Sequence, residues 1–441
     1  MSSFTTPRST PNVYIPPGPG ALTKYLKQYG KLPPVTMSIF PLQFLGDTSG
    51  GGRGLKPNQA EIPIEQFMSY SFKSSILSPV DEFTCQLKVQ DPSATTNPLP
   101  GDIFALKANG VPIGTGIVDQ TEVETDSQGG NVFTISGRNL LGQWEDQDAV
   151  NISTQPFYAN KATVQLVVKT LAQDTRINPA TLSTPLAPKQ AYLFATQPGE
   201  SKLSAMQRYC EGLDLYFWLN GDGTLNVGRP NMLKQSTQVL FCSFNGRQSN
   251  VLSIRSVRAT TQIPNIVVPL WNGQEAVQNR QSVNFGALCN GSAGPNRLYR
   301  LGHRVPKAVV VSTPEGDSPQ DLSEINTLIV SGQSIEAQKK NGIQRAGAAN
   351  ITQVYAKREM ARANIKELNV QIQMMGHFND NLEPFFPDQV YHIQYDVDNI
   401  AEDMYLYEVE YFFDEQGSQR TRLFFCRQTA IVADKNVFYA L

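Results

Sequence analysis

Charge is scarce in this chain. Only 17 % of its 441 residues are Asp, Glu, Lys or Arg, and the formal net charge is −2. No strong field of either sign surrounds such a molecule as a whole. Basic residues also fail to interleave with aromatics, so the usual footprint of a nucleic-acid surface is missing. Histidine is scarcer still, with three in the chain. None of His303, His377 and His392 has a second His or Cys at metal-ligand spacing, and no HExxH is present, so each reads as a surface or strand histidine. The five cysteines, Cys85, Cys210, Cys242, Cys289 and Cys426, are scattered and odd in number. Without a CxxC pair, a zinc site or a disulfide framework is disfavoured and a reducing compartment fits best. No apolar run approaches the ~20 residues that span a bilayer. The first twenty residues lack the continuous apolar core of a signal peptide. A soluble chain is expected.

Gln, Asn, Ser, Thr, Gly and Pro fill the space that charge leaves. Burying a charge carries a large desolvation cost, so a neutral polar surface suits a protein covered by neighbours. The same composition is common in β-rich proteins. The length is enough for two to four domains.

Residues 1–34 stand apart, with seven prolines, four basic residues (Arg8, Lys24, Lys27, Lys31) and no acid before Asp47. Proline favours extended backbone, so nothing here packs a core except a short helix at Ala21–Tyr29. The segment is either a loose tail or an arm lying across a neighbouring subunit. Tyr14, Ile15, Leu22, Tyr25, Leu26 and Tyr29 favour the arm.

From Val35 the chain reads as strands. Met37–Leu45 is apolar, with Pro41 hinting at an edge or a break. Residues 47–56 form a glycine-rich loop. Phe83, Cys85, Leu87 and Val89 alternate with polar residues. Ile103–Lys107 and Val111–Val118 flank Asn109-Gly110, a type I′ hairpin pair. Thr121–Thr125 faces Asn131–Gly137 across Gly129-Gly130. A small antiparallel barrel or a sandwich fits this spacing. A helix follows, with Asn160 as N-cap and Val164, Val167, Val168 and Leu171 on one face. A second begins near Ser201, with Leu203, Met206, Cys210 and Leu213 as its stripe and Gly212 as its stop. Leu215–Leu219 and Thr224–Val227 form a hairpin across residues 220–223. Strands resume at Val251–Val257, 263–270, Lys307–Ser312 and Thr327–Val330. A helix is expected over 349–368, with Arg358, Arg362 and Lys366 along one edge as a solvated face or a partner contact. Val370, Ile372 and Met374 mark a strand stopped by Gly376. Met404–Phe413 and Arg420–Arg427 make the closing hairpin. The expected fold class is α+β and predominantly β. An arm (1–34) is followed by a first β-domain (35–150), a mixed helix-hairpin module (151–245) and a second β-domain with inserted helix and loops (246–441).

Motifs for chemistry are thin. There is no GxSxG elbow and no phosphate-binding loop of the Walker type. Gly114-Thr115-Gly116 and Gly221-Asp222-Gly223 look like fragments of phosphate loops, but the first lies in a strand and the second closes a hairpin instead of opening a helix. Two carboxylate clusters, Glu145/Asp146/Asp148 and Asp380/Glu383/Asp388, leave a glycosidase pair open. Loop carboxylates are more often simply solvated.

One resemblance adds to this. Asn109-Gly110-Val111-Pro112-Ile113-Gly114-Thr115-Gly116-Ile117-Val118-Asp119, followed by Phe133-Thr134-Ile135-Ser136-Gly137-Arg138-Asn139-Leu140-Leu141-Gly142, resembles the first barrel of contractile-phage baseplate hub proteins of the Mu-like and T-even-like kind. Pro198-Gly199-Glu200-Ser201, Leu215-Tyr216-Phe217-Trp218 and Asp222-Gly223-Thr224-Leu225 to Arg229-Pro230 resemble the module that follows there. The likeness covers 100–230 well and 350–430 loosely.

The resemblance implies two tube-like antiparallel β-barrels flanking the mixed module. It implies a homotrimer whose six barrels adapt a sixfold tail tube to a threefold central spike. The implied neighbours are the tail tube or its initiator, the spike and other baseplate proteins including wedge components. DNA would pass through the channel without specific binding, and no membrane insertion is implied. The implied location is the virion tail baseplate, assembled in the host cytoplasm. No catalytic, cofactor-binding or metal-binding residues, and no cofactor, are expected. Two alternatives stand beside this reading. One is the hub portion of a type VI secretion spike, against which Leu441 follows soon after the closing hairpin and leaves no spike domain. The other is a tail-tip cell-wall hydrolase resting on the carboxylate clusters.

Overall fold

A computed structural model describes residues 21–40, 62–64, 67–88, 98–125, 131–149, 158–173, 175–179, 192–197, 199–212, 215–231, 234–243, 249–258, 266–271, 306–311, 365, 368–413 and 418–428. Outside them lie the 1–20 part of the arm, the 47–56 loop, the 327–330 strand, His303, Cys289, Leu213 and the basic row Arg358, Arg362 and Lys366. Of the helix expected over 349–368, Ile365 and Leu368 are described, and both are buried.

Helix α1 (Ala21–Tyr29) forms as its spacing predicts. Leu22, Tyr25, Leu26 and Tyr29 share a face, and Gly30 ends it at φ +66°, where a Cβ would be strained. The first strand group is β1 (Val35–Phe40), β2 (Ile62–Ile64), β3 (Ser69–Ser75), β4 (Glu82–Lys88), β5 (Ile103–Ala108), β6 (Val111–Thr125) and β7 (Asn131–Asn139). Its spatial order is β2-β1-β5-β6-β7-β4-β3, antiparallel throughout. β1 pairs on both sides, with β2 and β5, so it is not a sheet edge, and Pro41 lies outside the described residues. At the β5–β6 turn Asn109 and Gly110 have φ of 50° and 78°, the two positive values a type I′ turn needs. β6 is one 15-residue strand, where the sequence reads as two. A register shift between Val118 and Gln120 absorbs the break in alternation.

After α2 (Gly142–Asp146), the mixed module holds β8 (Tyr158–Ala162), α3 (Val164–Leu171), β9 (Tyr192–Ala195), α4 (Lys202–Gly212), β10 (Tyr216–Leu219) and β11 (Leu225–Gly228). Asn160 is not the cap of α3, because it lies inside β8, which pairs with β9. Thr163 takes that role: its backbone is extended and its Oγ1 accepts from Leu166 N at 3.2 Å. The expected stripe of α3 is buried in full. Leu203, Met206 and Cys210 of α4 are buried too.

The second group is β12 (Gln235–Cys242), β13 (Ser253–Val257), β14 (Ile266–Trp271), β15 (Pro306–Val311), β16 (Asn369–Met375), β17 (Gln389–Tyr395), β18 (Ile400–Phe413) and β19 (Gln419–Arg427). β14 and β15 form a separate parallel pair. The rest run β13-β16-β19-β18, with β17 and then β12 beside the first half of β18 and β3 beside its second half. The β12–β17 pairing is parallel. One 13-stranded sheet therefore carries both strand groups, and β3–β18 is the joint between them. Its register sets Tyr70 opposite Phe413 and Phe72 opposite Tyr411, and both ring pairs stack.

Three apolar clusters follow from this layout. The largest draws on both strand groups, from Met37 and Phe83 to Tyr411 and Phe425. A second fills the module and takes Ile117, Leu140, Leu141 and Trp144 from around its border with β6 and β7. A third joins Tyr216 and Trp218 of β10 to Ile76, Val390 and Tyr405.

Candidate assembly surface

The first carboxylate cluster is an arginine corner. Arg138, on the polar face of β7, binds Asp119 through Nε at 2.7 Å, Glu145 through Nη1 at 3.0 Å and Asp146 through Nη2 at 2.6 Å. The bonds to Asp119 and Asp146 hold the guanidinium pKa above its ordinary value. Three carboxylates gathered on one guanidinium form a charged corner, and both oxygens of Asp119 and of Asp146 accept from it. Asp148 belongs elsewhere: residues 147–149 lie against 200–202, with Ala149 N donating to Glu200 O at 2.7 Å.

Asp380, Glu383 and Asp388 lie within one turn but face different partners. Asp380 O accepts from Leu22 N at 3.1 Å and so holds α1. Glu383 Oε2 accepts from Asn379 Nδ2 at 3.3 Å. Asp388, at φ +69°, is not a solvated loop carboxylate. Its Oδ1 accepts from Asn231 N at 2.6 Å and from the Tyr405 hydroxyl at 2.7 Å, tying the segment after β11 to β18. Burial raises the Asp388 and Asp380 pKa values, and for Asp388 the two hydrogen bonds work against the rise.

His377 departs from its reading as a surface or strand histidine. It follows Gly376 in a turn and is 0 % exposed. The Thr421 hydroxyl donates to Gly376 O at 2.8 Å, so its oxygen accepts from His377 Nδ1–H at 2.8 Å. Nε2 is then the acceptor for the Tyr70 hydroxyl at 2.6 Å. Desolvation lowers the His377 pKa to about 3 and holds the ring neutral. His392 does lie on a strand, exposed, with Nδ1 2.8 Å from Asp403 Oδ1 on β18.

The two glycine fragments meet each other. Thr115 Oγ1 donates to Gly221 O at 2.7 Å, and a Cβ on Gly221 would fall 2.3 Å from Pro112 O. Glycine at 221 thus permits backbone contact between the β10–β11 turn and β6. Gly116 and Gly137 play the same part between β6 and β7, where an added Cβ would lie 2.1 Å from Arg138 O and Ile117 O respectively. Among the described residues no group of His, Cys, Asp or Glu could hold a metal ion. The described cysteines are free thiols, and burial pushes the pKa of Cys85 and Cys426 upward.

What remains open is a groove of about 660 Å³ beside the end of α1. Leu32, Phe67, Tyr70, Leu252, Met375 and Phe413 line it, with Lys31, Gln419 and Arg420 also bordering it. Leu252 and Met375 are 53 % and 60 % exposed, which is high for such side chains. Phe67 meets Tyr70 edge-on at 5.1 Å, and Tyr70 stacks on Phe413 at 5.7 Å. Sequence reasoning passed over the groove because its walls come from residues far apart in the chain. The Tyr70-Ser71-Phe72 alternation was the one local signal.

These features define a β-rich protein in which the carboxylates and histidines singled out in the sequence serve internal bonds, with one largely apolar groove open beside α1. Comparison of folds agrees with that class. A tail protein from Neisseria meningitidis MC58 superposes with a TM-score of 0.64 at 18 % identity, covering 91 % of this chain and 99 % of that one. The 43 kDa tail protein of prophage MuSo2 from Shewanella oneidensis gives a TM-score of 0.61 at 11 % identity, with coverage of 90 % and 99 %. The chain therefore has the fold of these tail proteins over nearly its whole length. No protein-family model matches it, and no curated protein sequence matches it.

Proposed function

We propose that this chain is a baseplate hub subunit of a contractile phage tail, acting through its interfaces and not through catalysis. One observation carries the reading: two strand groups, of seven and six strands, share a single sheet through β3–β18. Each group forms a tube-like barrel, within the arm, two β-domains and mixed module bounded at residues 34, 150 and 245. Three copies then place six barrels around one axis, which adapts a sixfold tail tube to a threefold spike. Closed rings of this kind are built from heterologous patches. The likeness to tail proteins supports the reading. Its partners are two further copies, the tube or its initiator, the central spike and wedge components. DNA passes along the channel without specific contacts, and the assembled subunit sits in the virion tail.

Light scattering on the purified chain at micromolar concentration tests this. A mass of three chains is expected. A strictly monomeric mass, with or without spike protein, overturns the hub reading.

A further inference from the structure

We infer that the groove beside α1 is the docking site for the proline-rich segment, residues 11–20, of a second copy of this chain. The inference rests on the hub reading in that it needs more than one copy.

Groove and segment fit each other chemically. The groove is walled by Phe67, Tyr70 and Phe413 and rimmed by the exposed Leu252 and Met375. Tyr70 is fixed by its hydroxyl bond to buried His377 at 2.6 Å, so its ring is already in place before anything binds. Aromatic-lined grooves suit polyproline II segments, which lack internal hydrogen bonds and need little ordering. Pro11-Asn12-Val13-Tyr14-Ile15-Pro16-Pro17-Gly18-Pro19-Gly20 has four prolines, three large apolar residues and no charge. A neutral segment meets no penalty from Lys31 and Arg420 at the groove. Its non-proline residues also bring backbone N–H donors, and Gln419 in the groove wall has a buried Oε1 without a hydrogen bond.

Geometry favours a second copy over the same chain. The segment joins α1 at Ala21, whereas the groove lies at the far end, at Lys31–Val35. Nine helical residues span about 13 Å. To reach its own groove the segment must reverse at once and run back beside α1. A proline-spaced segment is stiff over several residues and covers about 30 Å in ten, a length that reaches outward to a neighbour.

The test uses the full chain in three variants: Ile15→Cys and Met375→Cys, co-expressed and then oxidised with each alone as the control, and a double variant carrying both substitutions, oxidised by itself. A disulfide-linked pair of chains that forms only on co-expression is expected. Excess synthetic peptide of residues 11–20 should reduce that product at least tenfold, and Leu252→Lys in the groove-bearing copy should do the same. A link formed only within single chains carrying both substitutions overturns the second-copy inference. Absence of any link in samples that light scattering shows to be trimeric overturns the groove and leaves the hub reading standing. A monomeric mass removes both.

Discussion

The two joints of this molecule are built on opposite principles. At β3–β18, which couples the strand groups, buried polar groups do most of the bonding: neutral His377 with Tyr70 and Thr421, and Asp81, whose pKa burial raises and which accepts from Ser75 N and Asn139 Nδ2, each at 2.9 Å. Where the mixed module meets β6 and β7, backbones touch through glycines and the charges sit at the rim around Arg138. Asn139 touches both, since its Oδ1 accepts from Leu141 N at the start of α2. The difference teaches where strength lies. Buried partners and close backbones leave no room for substitution, whereas rim charges remain hydrated and contribute little.

The largest effect should come from β6–β7, the close-packed strand pair on which the module rests. Gly137→Ala forces a Cβ into the carbonyl of Ile117 across β6–β7, and a backbone atom cannot move aside as a side-chain end can. A loss on the order of 5 kcal/mol or more is expected, enough to leave the chain insoluble. Soluble yield and the urea midpoint read it. A midpoint shift too small to measure would mean the two strands are not in such contact.

Next comes the response of the β3–β18 joint to acid. His377 has a folded pKa of about 3 against an ordinary 6.5, so the unfolded chain binds its proton first. Stability from this group is full above pH 6.5 and is lost as pH falls toward 3. The limit is on the order of 5 kcal/mol, at about 1.4 kcal/mol per pH unit. Burial raises the pKa of Asp81 and Asp388, so those groups act in the opposite sense and offset part of the loss. Urea midpoints from pH 7 to about pH 4 should fall more steeply for the native chain than for His377→Gln. Parallel curves would show that His377 is not held neutral.

How far the sequence carried depended on where each element found its partners. Hairpins with local turn chemistry, such as Asn109-Gly110, and helix stripes, such as Val164–Leu171, were readable because their causes lie within a few residues. β3 and β12 were missed in part because each has a pairing strand far off in the chain: β3 pairs with β18 some 330 residues away, and β12 with β17 some 150 away. The same distance hid His377, which burial holds neutral and whose ring bonds Tyr70 some 300 residues away. Arg138 was visible as part of a motif, but only the fold shows that it gathers the carboxylates which had left a hydrolase open.

Arg138→Met sharpens the contrast from the charged side. It leaves Asp119, Glu145 and Asp146 together without their cation, while the apolar part of the side chain still packs on Gly142. A loss of about 1–2 kcal/mol is expected, larger at low salt because the remaining repulsion is screened by ions. Denaturation midpoints at low and high ionic strength separate this from a packing defect, which salt would leave unchanged.

The smallest effect belongs to the one charged pair on the β3–β18 joint. Lys73 Nζ lies 3.1 Å from Glu408 Oε1, with the lysine 43 % exposed and the glutamate 15 %. An exposed lysine gives little net attraction, so Lys73→Met alone should cost about 0.5 kcal/mol or less. The less exposed Glu408 then loses its cation beside buried Asp81, whose pKa the nearby Lys73 lowers and Glu408 raises. Removing Lys73 should therefore push the Asp81 pKa further up, so the cost of the variant grows as pH rises. Midpoints for the native chain and the variant across a pH series read the difference. A cost of 2 kcal/mol or more would mean that charge, and not buried neutral bonding, holds this joint, and the contrast between the two joints would fail.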